Sequence, residues 1–353
     1  MNKPFPSTLG GKCAQQASIR TIAAAAGFGK TLVAKVMTNK PGVAASTRTL
    51  VLKVAREQGY LPDPEITRLM LHVRHRRTRR NALTMAWIRY AIRPAVPQNF
   101  PWFAKIWAGA SARSQALGFS LDQIIEDVNA MSPARFVQIL RARGVSGLLA
   151  SPPWQAEVFW RLEVQDFAIA IAGEGNLPYI YDQSGPDYFH NIRLLMQELA
   201  LLGYRRPGLV ISDYMHMVSA GAIVAAYEYS KLALPPEDRI PWESPVSDQN
   251  EALSPWLKRW CPDVLICANN NWAQVLAQHG LRVPEDIGLA HINLASDIPD
   301  WGGIDQNHEW IGANAVNLLA EQIYHREHGR PVKARRVLAA GQFVRGSTLK
   351  VQS

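Results

Sequence analysis

Between Ser18 and Met37 the apolar residues fall on a helical period twice, and a Gly-Phe-Gly triplet separates the two runs. Ile19, Ile22, Ala23 and Ala26 stand at i, i+3, i+4 and i+7, one face of a helix, with Ser18 placed as its N-cap. Gly27-Phe28-Gly29 breaks that helix. Lys30 to Met37 starts another, with Leu32, Val33 and Val36 inward and Lys30, Thr31, Ala34 and Lys35 outward. Two short helices around a Gly-containing turn are the pattern of a helix-turn-helix. In that motif the second helix enters the DNA major groove and its first residues meet base edges. An ordinary helical hairpin shows the same pattern, so the motif alone does not decide.

Charge separates the two readings. Residues 1–80 hold 15 Lys/Arg against three Asp/Glu (Glu57, Asp63 and Glu65), a net of +12. The remaining chain is near neutral at −3. A basic end on a near-neutral body implies a localised contact with a polyanion. A solubilising tail would be equally basic but would not carry helical periodicity.

At 353 residues, 48% hydrophobic and 19% charged, the chain is long enough for two or three compact units with sizeable cores. Its three cysteines, Cys13, Cys261 and Cys267, have no redox or zinc spacing. No apolar run precedes Ile19 and no stretch of 18 apolar residues exists, so a cytoplasmic, nucleoid-associated protein with no membrane contact is expected. No cofactor or metal is expected either. The nine histidines show no His-Glu-x-x-His spacing, no Gly-x-Ser-x-Gly elbow is present, and no Gly-rich phosphate loop follows a strand; the chain reads as a non-enzyme.

From Ala82 the text alternates between strand and helix. Expected strands are Leu83–Ile88, Gly147–Ala150, Phe167–Ile171, Tyr179–Tyr181, Gly208–Ile211, Val264–Cys267 and Ile287–Ile292. Expected helices are a stripe of Phe103, Ile106, Trp107 and Ala110 ending near Gly118, Ser132-Pro133 to Arg143, Asp187–Leu202, Ser219–Leu232, Trp272–Gly280 and Trp310–His325. Repeated β-α units of this length give parallel sheets wrapped by helices. Two such halves form a two-lobed binding domain whose ligand sits at the carboxyl ends of the strands.

Several landmarks stand in order along the chain. Val43 to Arg48 leads into a third helix to Gln58, with Leu50, Val51, Val54 and Ala55 apolar, followed by Gly59-Tyr60-Leu61-Pro62. Further on come Arg143-Gly-Val-Ser-Gly-Leu-Leu149, Leu202-Gly-Tyr-Arg-Arg206, Val283-Pro-Glu-Asp-Ile-Gly-Leu289, Asp305-Gln-Asn307 with Ile311-Gly312, and Gly341-x-Phe-Val-x-Gly-Ser-Thr348. In this order they resemble the lactose-repressor/galactose-repressor (LacI-type) family of bacterial transcription regulators from residue 18 to residue 350. The resemblance implies an α/β architecture: a helix-turn-helix headpiece plus a two-lobed, periplasmic-binding-protein-like effector domain with parallel sheets. Its segments would be a disordered lead (1–17), the headpiece (18–61), a hinge helix and basic linker (62–81), and an effector-binding and dimerisation domain (82–350).

The resemblance also implies a function. The chain would be a sequence-specific regulator, a repressor, that binds a pseudopalindromic double-stranded DNA operator as a homodimer and responds to a small molecule in the interlobe cleft. No heptad helix follows Gly346, which favours a dimer. The alternative is a cytosolic small-molecule (sugar) binding module with a degenerate DNA reader.

Lys30 and Thr31 head the recognition helix and would read bases, and Arg20, Lys35, Thr38 and Lys53 would contact the DNA beside them. Arg74 and Arg76 belong to a cluster of five arginines within residues 74–80 that would meet phosphates. Leu69 sits where the family's hinge helix wedges a leucine into the minor groove. Asp63 and Ile66 depart from the family pattern, and a linker helix packed on the body is the other reading. Gly29, Ala34 and Ala44 stand where the family has hydroxyl residues that cap helices or touch phosphate.

In the cleft, Met217 stands at the family's Arg position, and Asn270 and Asn293 stand at Asp positions. Each change removes a charge. Either the cleft has drifted, or it takes a less polar effector, with Trp102, Met217, Asn270, Trp272, Asn293 and Gln306 as its contacts and Trp272 as the stacking platform.

Overall fold

The computed structural model describes residues 18–37, 42–58, 60, 83–90, 101–126, 132–150, 165–173, 181–244, 253–294 and 300–352. The chain divides into two compact units, Met1–Asn81 and Ala82–Ser353.

The first unit has three helices, α1 (Ile19–Ala26), α2 (Lys30–Met37) and α3 (Ala45–Glu57). Ser18 and Thr21 close a reciprocal cap at the start of α1: the Thr21 amide donates to Ser18 Oγ at 3.2 Å, and the Ser18 amide donates to Thr21 Oγ1 at 2.8 Å. Gly27 ends the helix in the left-handed region, at φ 71°. Ile22, Ala23, Val33, Val36, Val51 and Ala55 form a shared core. Several expected core positions are wetter than their periodicity suggests. Ile19, Ala26, Leu32 and Val54 are half-buried, and Leu50 is 46% exposed because three short helices enclose only one narrow seam.

The second unit contains two three-layer lobes. The first lobe holds a six-stranded parallel sheet in the order β10-β5-β4-β3-β1-β2. Its strands are β1 (Thr84–Tyr90), β2 (Ser120–Glu126), β3 (Val145–Ala150), β4 (Ala168–Ala172), β5 (Asp182–Pro186) and β10 (Arg336–Ala339). Helices α4 (Pro101–Ala116) and α11 (His308–His325) supply one face, where Trp87 meets Phe103 and Trp107 edge-on at 5.6 Å. Helix α5 (Pro133–Ala142) covers the other.

The second lobe holds five strands in the order β11-β9-β8-β7-β6: β6 (Pro207–Val210), β7 (Val264–Cys267), β8 (Gly288–His291), β9 (Gly302–Asp305) and β11 (Gln342–Val344). They are parallel except for β11, an antiparallel edge strand. Helices α6 (Tyr188–Leu201) and α8 (Ala222–Lys231) pack on one face, α9 (Leu253–Trp260) and α10 (Trp272–Gln278) on the other. A short helix, α7 (Asp213–Val218), precedes α8.

The chain passes between the lobes three times: from β5 to α6, from β9 to α11, and from β10 to β11. Hydrogen bonds hold the three passages side by side. The Asp187 amide donates to the Ala339 carbonyl at 2.9 Å, Asn307 Nδ2 to the Ala340 carbonyl at 2.7 Å, and the Gly341 amide to Asn191 Oδ1 at 2.7 Å.

Three expectations about elements need correction. Of the strand expected at Tyr179–Tyr181, residues 179 and 180 lie outside the described residues and Tyr181 is a bend; a strand follows at Asp182–Pro186, a polar Asp-Gln-Ser-Gly-Pro run that is buried throughout. The helix expected over Ser219–Leu232 begins only at Ala222, because Ala220 (φ 49°) and Gly221 (φ 76°) are both left-handed and separate it from the unexpected short helix α7. Helices α7 and α9 and the strands β2, β9, β10 and β11 were absent from the expected set.

Candidate nucleic-acid interface and ligand cleft

In the first unit, the exposed side of α2 carries Lys30, Thr31 and Lys35. Arg20 on α1 and Lys53 on α3 are also exposed. Lys53 sits 3.9 Å from Glu57 on the same helix, a solvated pair that constrains little. Glu57 is the one acidic residue among the described residues of this unit, against six Lys/Arg. The surface is therefore a basic one built on short helices. Helix α3 begins at Ala44 with no side-chain cap, which leaves its first amides to solvent or to a phosphate. Thr38, Leu69, Arg74 and Arg76 lie outside the described residues.

In the second unit, a cavity of about 480 Å³ opens between the lobes at the carboxyl ends of the strands. From the first lobe it is lined by Pro101, Trp102 and Ile106 of α4, by Gly173 and Pro186 after and within the sheet, and by His308 and Ile311 of α11. From the second lobe come Ser212, Tyr214, Met215 and Val218 around α7, Ala268 to Asn271 after β7, and His291, Asn293 and Gln306. Four of the six expected contacts are brought together: Trp102, Asn270, Asn293 and Gln306.

The other two are not. Met217 lies on the outer side of α7, 44% exposed, while Tyr214, Met215 and Val218 of the same helix turn to the cleft. Trp272 is buried in the core beneath α10 with Val275 and Leu265, so it is a packing residue of the lobe and not a platform in the cavity. The stacking surface is Trp102, whose ring lies 6.3 Å from that of His308 at 29°. Sequence reading missed His308, Tyr214 and His291. The signal for His308 was its place at the start of the helix directly after Gln306-Asn307, a passage between lobes.

The cavity is electrically neutral among its described lining residues: none is Asp, Glu, Lys or Arg. Burial pushes the Tyr214 phenol up to about 12, so it keeps its proton. Burial pushes His308 down to about 4, with Lys105 acting in the same sense and Asp305 against it, so its ring is uncharged at neutral pH. The Asn293 amide donates to His291 Nδ1 at 3.1 Å, which leaves the His291 proton on Nε2. Gln306 is fixed by a bond from its Nε2 to the Ile292 carbonyl at 2.8 Å. Asn293 Oδ1 and His308 Nδ1 are buried and have no protein partner.

Two family profiles match the two units. Periplasmic binding protein-like domains match residues 196–348, and the lacI family of bacterial regulatory proteins matches residues 18–63. The chain belongs to the lacI family of bacterial regulatory proteins. It is a DNA-binding regulator and not an enzyme.

Among proteins of known role, the lacI-type chain is 22% identical over 334 residues to the HTH-type transcriptional repressor PurR of Haemophilus influenzae, covering 89% of this chain and 93% of that one. It is 24% identical to the repressor of the same name from Pasteurella multocida, covering 90% and 95%. Its fold is shared by a transcriptional regulator CelR–cellobiose complex (TM-score 0.55, 19% identity, 94% of this chain and 100% of that one). It is shared equally by a lac repressor dimer bound to operator and the anti-inducer ONPF (TM-score 0.55, 19% identity, 95% and 99%). Among the described residues no helix is long and apolar enough to cross a membrane, and no cluster of three or more His, Cys, Asp or Glu could hold a metal ion. Cys261 and Cys267 are free thiols.

Proposed function

We propose that this regulator is a cytoplasmic repressor that grips a pseudopalindromic operator as a homodimer and changes its grip when a small molecule fills the interlobe cleft. The observation that carries the reading is the joining, in one chain, of a basic helix-turn-helix with a neutral, partly unsatisfied cavity between two lobes. The names of its relatives, a transcriptional repressor and a repressor dimer on operator, support it.

In this reading Lys30 and Thr31 read base edges from the first turn of α2, and a lysine there reaches O6 and N7 of a guanine. Arg20, Lys35, Lys53, Thr38, Arg74 and Arg76 hold the backbone, and Leu69 wedges the minor groove. Trp102, Asn270, Asn293 and Gln306 hold the ligand together with Tyr214 and His308. A ligand that bridges the lobes favours one lobe arrangement, and the three bonded passages convey that choice to the segment leading to the headpiece. Such a coupling is a free energy shared by two sites through a two-state body.

The experiment is a fluorescence-anisotropy titration of the full chain against DNA from its own upstream region at two salt concentrations. Lys30→Ala and Leu69→Ala are run beside the wild type. The expected outcome is sequence-selective binding with a steep salt slope. Lys30→Ala should lose roughly 1–3 kcal/mol of discrimination at one base pair, and Leu69→Ala should lose selectivity further. Weak binding that is equal for all sequences would support the alternative of a ligand module with a degenerate reader, a reading favoured by the uncapped start of α3.

A further inference from the structure

The cleft states more about its occupant than that one exists. Three independent features bear on the occupant's charge, its polar edge and its shape.

Charge comes first. With no Asp, Glu, Lys or Arg among the described lining residues, a charged ligand would leave water without a counter-charge to meet it. The effective penalty for such a transfer is several kcal/mol, which cancels most of what a small ligand gains by burial. Neither Tyr214 nor His308 rescues it. Tyr214 keeps its proton and His308 stays neutral.

The polar edge follows from two atoms on the cavity wall, Asn293 Oδ1 and His308 Nδ1. Asn293 Oδ1 is an acceptor only, so its partner must bring an N–H or O–H. His308 Nδ1 belongs to a neutral imidazole and takes part in one hydrogen bond as donor or acceptor. A buried polar group without a partner costs about 1–3 kcal/mol, so each atom favours a ligand that supplies the bond. An amide or lactam edge offers a donor and an acceptor together without carrying charge.

Shape follows from the walls. Trp102 and His308 present stacked rings from the first lobe, and Pro101, Ile106, Pro186 and Ile311 make the rest of that side apolar. A polyol needs bidentate hydrogen bonds along its whole rim, and it would leave these faces badly matched.

We infer that the cleft takes an uncharged, flat molecule with an amide-like edge, laid against Trp102 and hydrogen-bonded to Asn293 and His308. The inference rests on the reading of the cleft as the regulatory site, and it adds the chemical class of the ligand.

The test is isothermal titration calorimetry on the full chain with four probes: 2-naphthamide, 2-naphthoate, 2-naphthamidinium and methyl β-glucoside. The first three share one shape and differ in charge. The expected result is that 2-naphthamide binds at least tenfold tighter than the other three. Asn293→Asp should then reverse the order and favour the amidinium, because the new carboxylate stands where the unpaired oxygen was. Trp102→Leu should weaken 2-naphthamide at least tenfold while leaving the ranking by charge in place.

An ion or the glucoside binding as tightly as the amide would overturn the inference, as would no binding of any probe at millimolar concentration. The wild-type ranking alone decides this, whatever the variants do to folding. Operator titration with and without 2-naphthamide separates the two levels. A bound amide that leaves operator affinity unchanged removes the regulatory reading and keeps the ligand class. An operator shift produced only by the glucoside does the reverse.

Discussion

Gly109 and Gly312 seat two helices of the first lobe backbone against backbone. A Cβ added to Gly109 of α4 would stand 1.9 Å from the Glu309 carbonyl oxygen of α11, and one added to Gly312 would stand 2.0 Å from the Ile106 carbonyl oxygen of α4. Neither neighbour is a flexible side-chain end, so the helices themselves must separate. Trp102 lies in the first turn of α4 and His308 is the first residue of α11, so the same contact sets the spacing of the stacked pair in the cleft.

Gly109→Ala and Gly312→Ala are therefore each expected to destabilise the second unit by at least the ~1–3 kcal/mol typical of overpacking. Chemical denaturation monitored by tryptophan fluorescence measures this. The double variant should cost less than the sum of the singles, because once the helices have moved apart the second methyl meets open space. Additive costs would mean that the two contacts yield independently.

The headpiece offers a change in the opposite direction. Ala44 occupies the N-cap of α3 with extended geometry (φ −56°, ψ 143°) and makes no side-chain cap. Ala44→Ser supplies the missing acceptor and should stabilise the helix by about 1 kcal/mol. Gly29 precedes α2 with open space where a Cβ would go. Gly29→Ser should gain only a few tenths of a kcal/mol, since glycine is already a fair N-cap. Amide hydrogen exchange over Ala45 to Arg48 and over Lys30 to Val33 would show slower exchange in the first variant and little change in the second. Equal protection in both would contradict the capping account.

Asp182 is buried at 1% exposure at the start of β5, and Arg335 is the group that makes this tolerable. The Arg335 amide and Nε donate to the carboxylate at 2.8 and 2.9 Å, Nη2 at 2.6 Å, and Gln322 Nε2 at 3.0 Å. The paired carboxylates of Asp182 and Glu321 hold the Arg335 guanidinium above its ordinary range. Arg335→Ala leaves the Asp182 charge buried with one side-chain donor, a change of about 3–5 kcal/mol for pairs of this kind. Adding Asp182→Asn to Arg335→Ala should recover part of that loss. Urea midpoints of the wild type and the two variants check it, and a double variant no better than the single would place the cost elsewhere.

The same cluster explains what the sequence did not disclose. Helices α1 and α2 were legible because period, cap and glycine stop lie within twenty residues of one another. The Asp-Gln-Ser-Gly-Pro strand β5 reads as a turn. It is a strand because Gln322, Arg335 and the Gly173 carbonyl, which accepts from Gln183 Nε2, satisfy its polar side chains from distant parts of the chain. Local pattern cannot carry that information.

In the cleft, Asn270 and Asn293 were named from family positions and Gln306 from a landmark; these three and Trp102 lie on the cavity wall. Met217 was misplaced because Gly221 opens a separate helix rather than continuing α7. Trp272 was misassigned because a tryptophan after a strand looks the same in sequence whether it turns toward the cleft or under the sheet. His308 was passed over because a single histidine carries no pattern of its own.

That histidine gives the last prediction. In the folded chain its pKa is held near 4, against an ordinary value of 6.5 that applies once the chain unfolds. Between those values the unfolded state binds the proton more readily, so the stabilising contribution is complete above about pH 6.5 and declines as the pH falls toward 4. By pH 5 the loss is on the order of 2 kcal/mol. Lys105 strengthens the effect and Asp305 weakens it, so neutralising Lys105 should lift the histidine toward its ordinary value. His308→Gln removes the titrating ring, and the variant should melt at a temperature that changes less between pH 7 and pH 5 than the wild type does. Thermal melts at pH 7, 6 and 5 decide the matter: parallel curves for the two proteins would mean that the acid sensitivity of the domain arises at other groups and that His308 is solvated enough to protonate without unfolding.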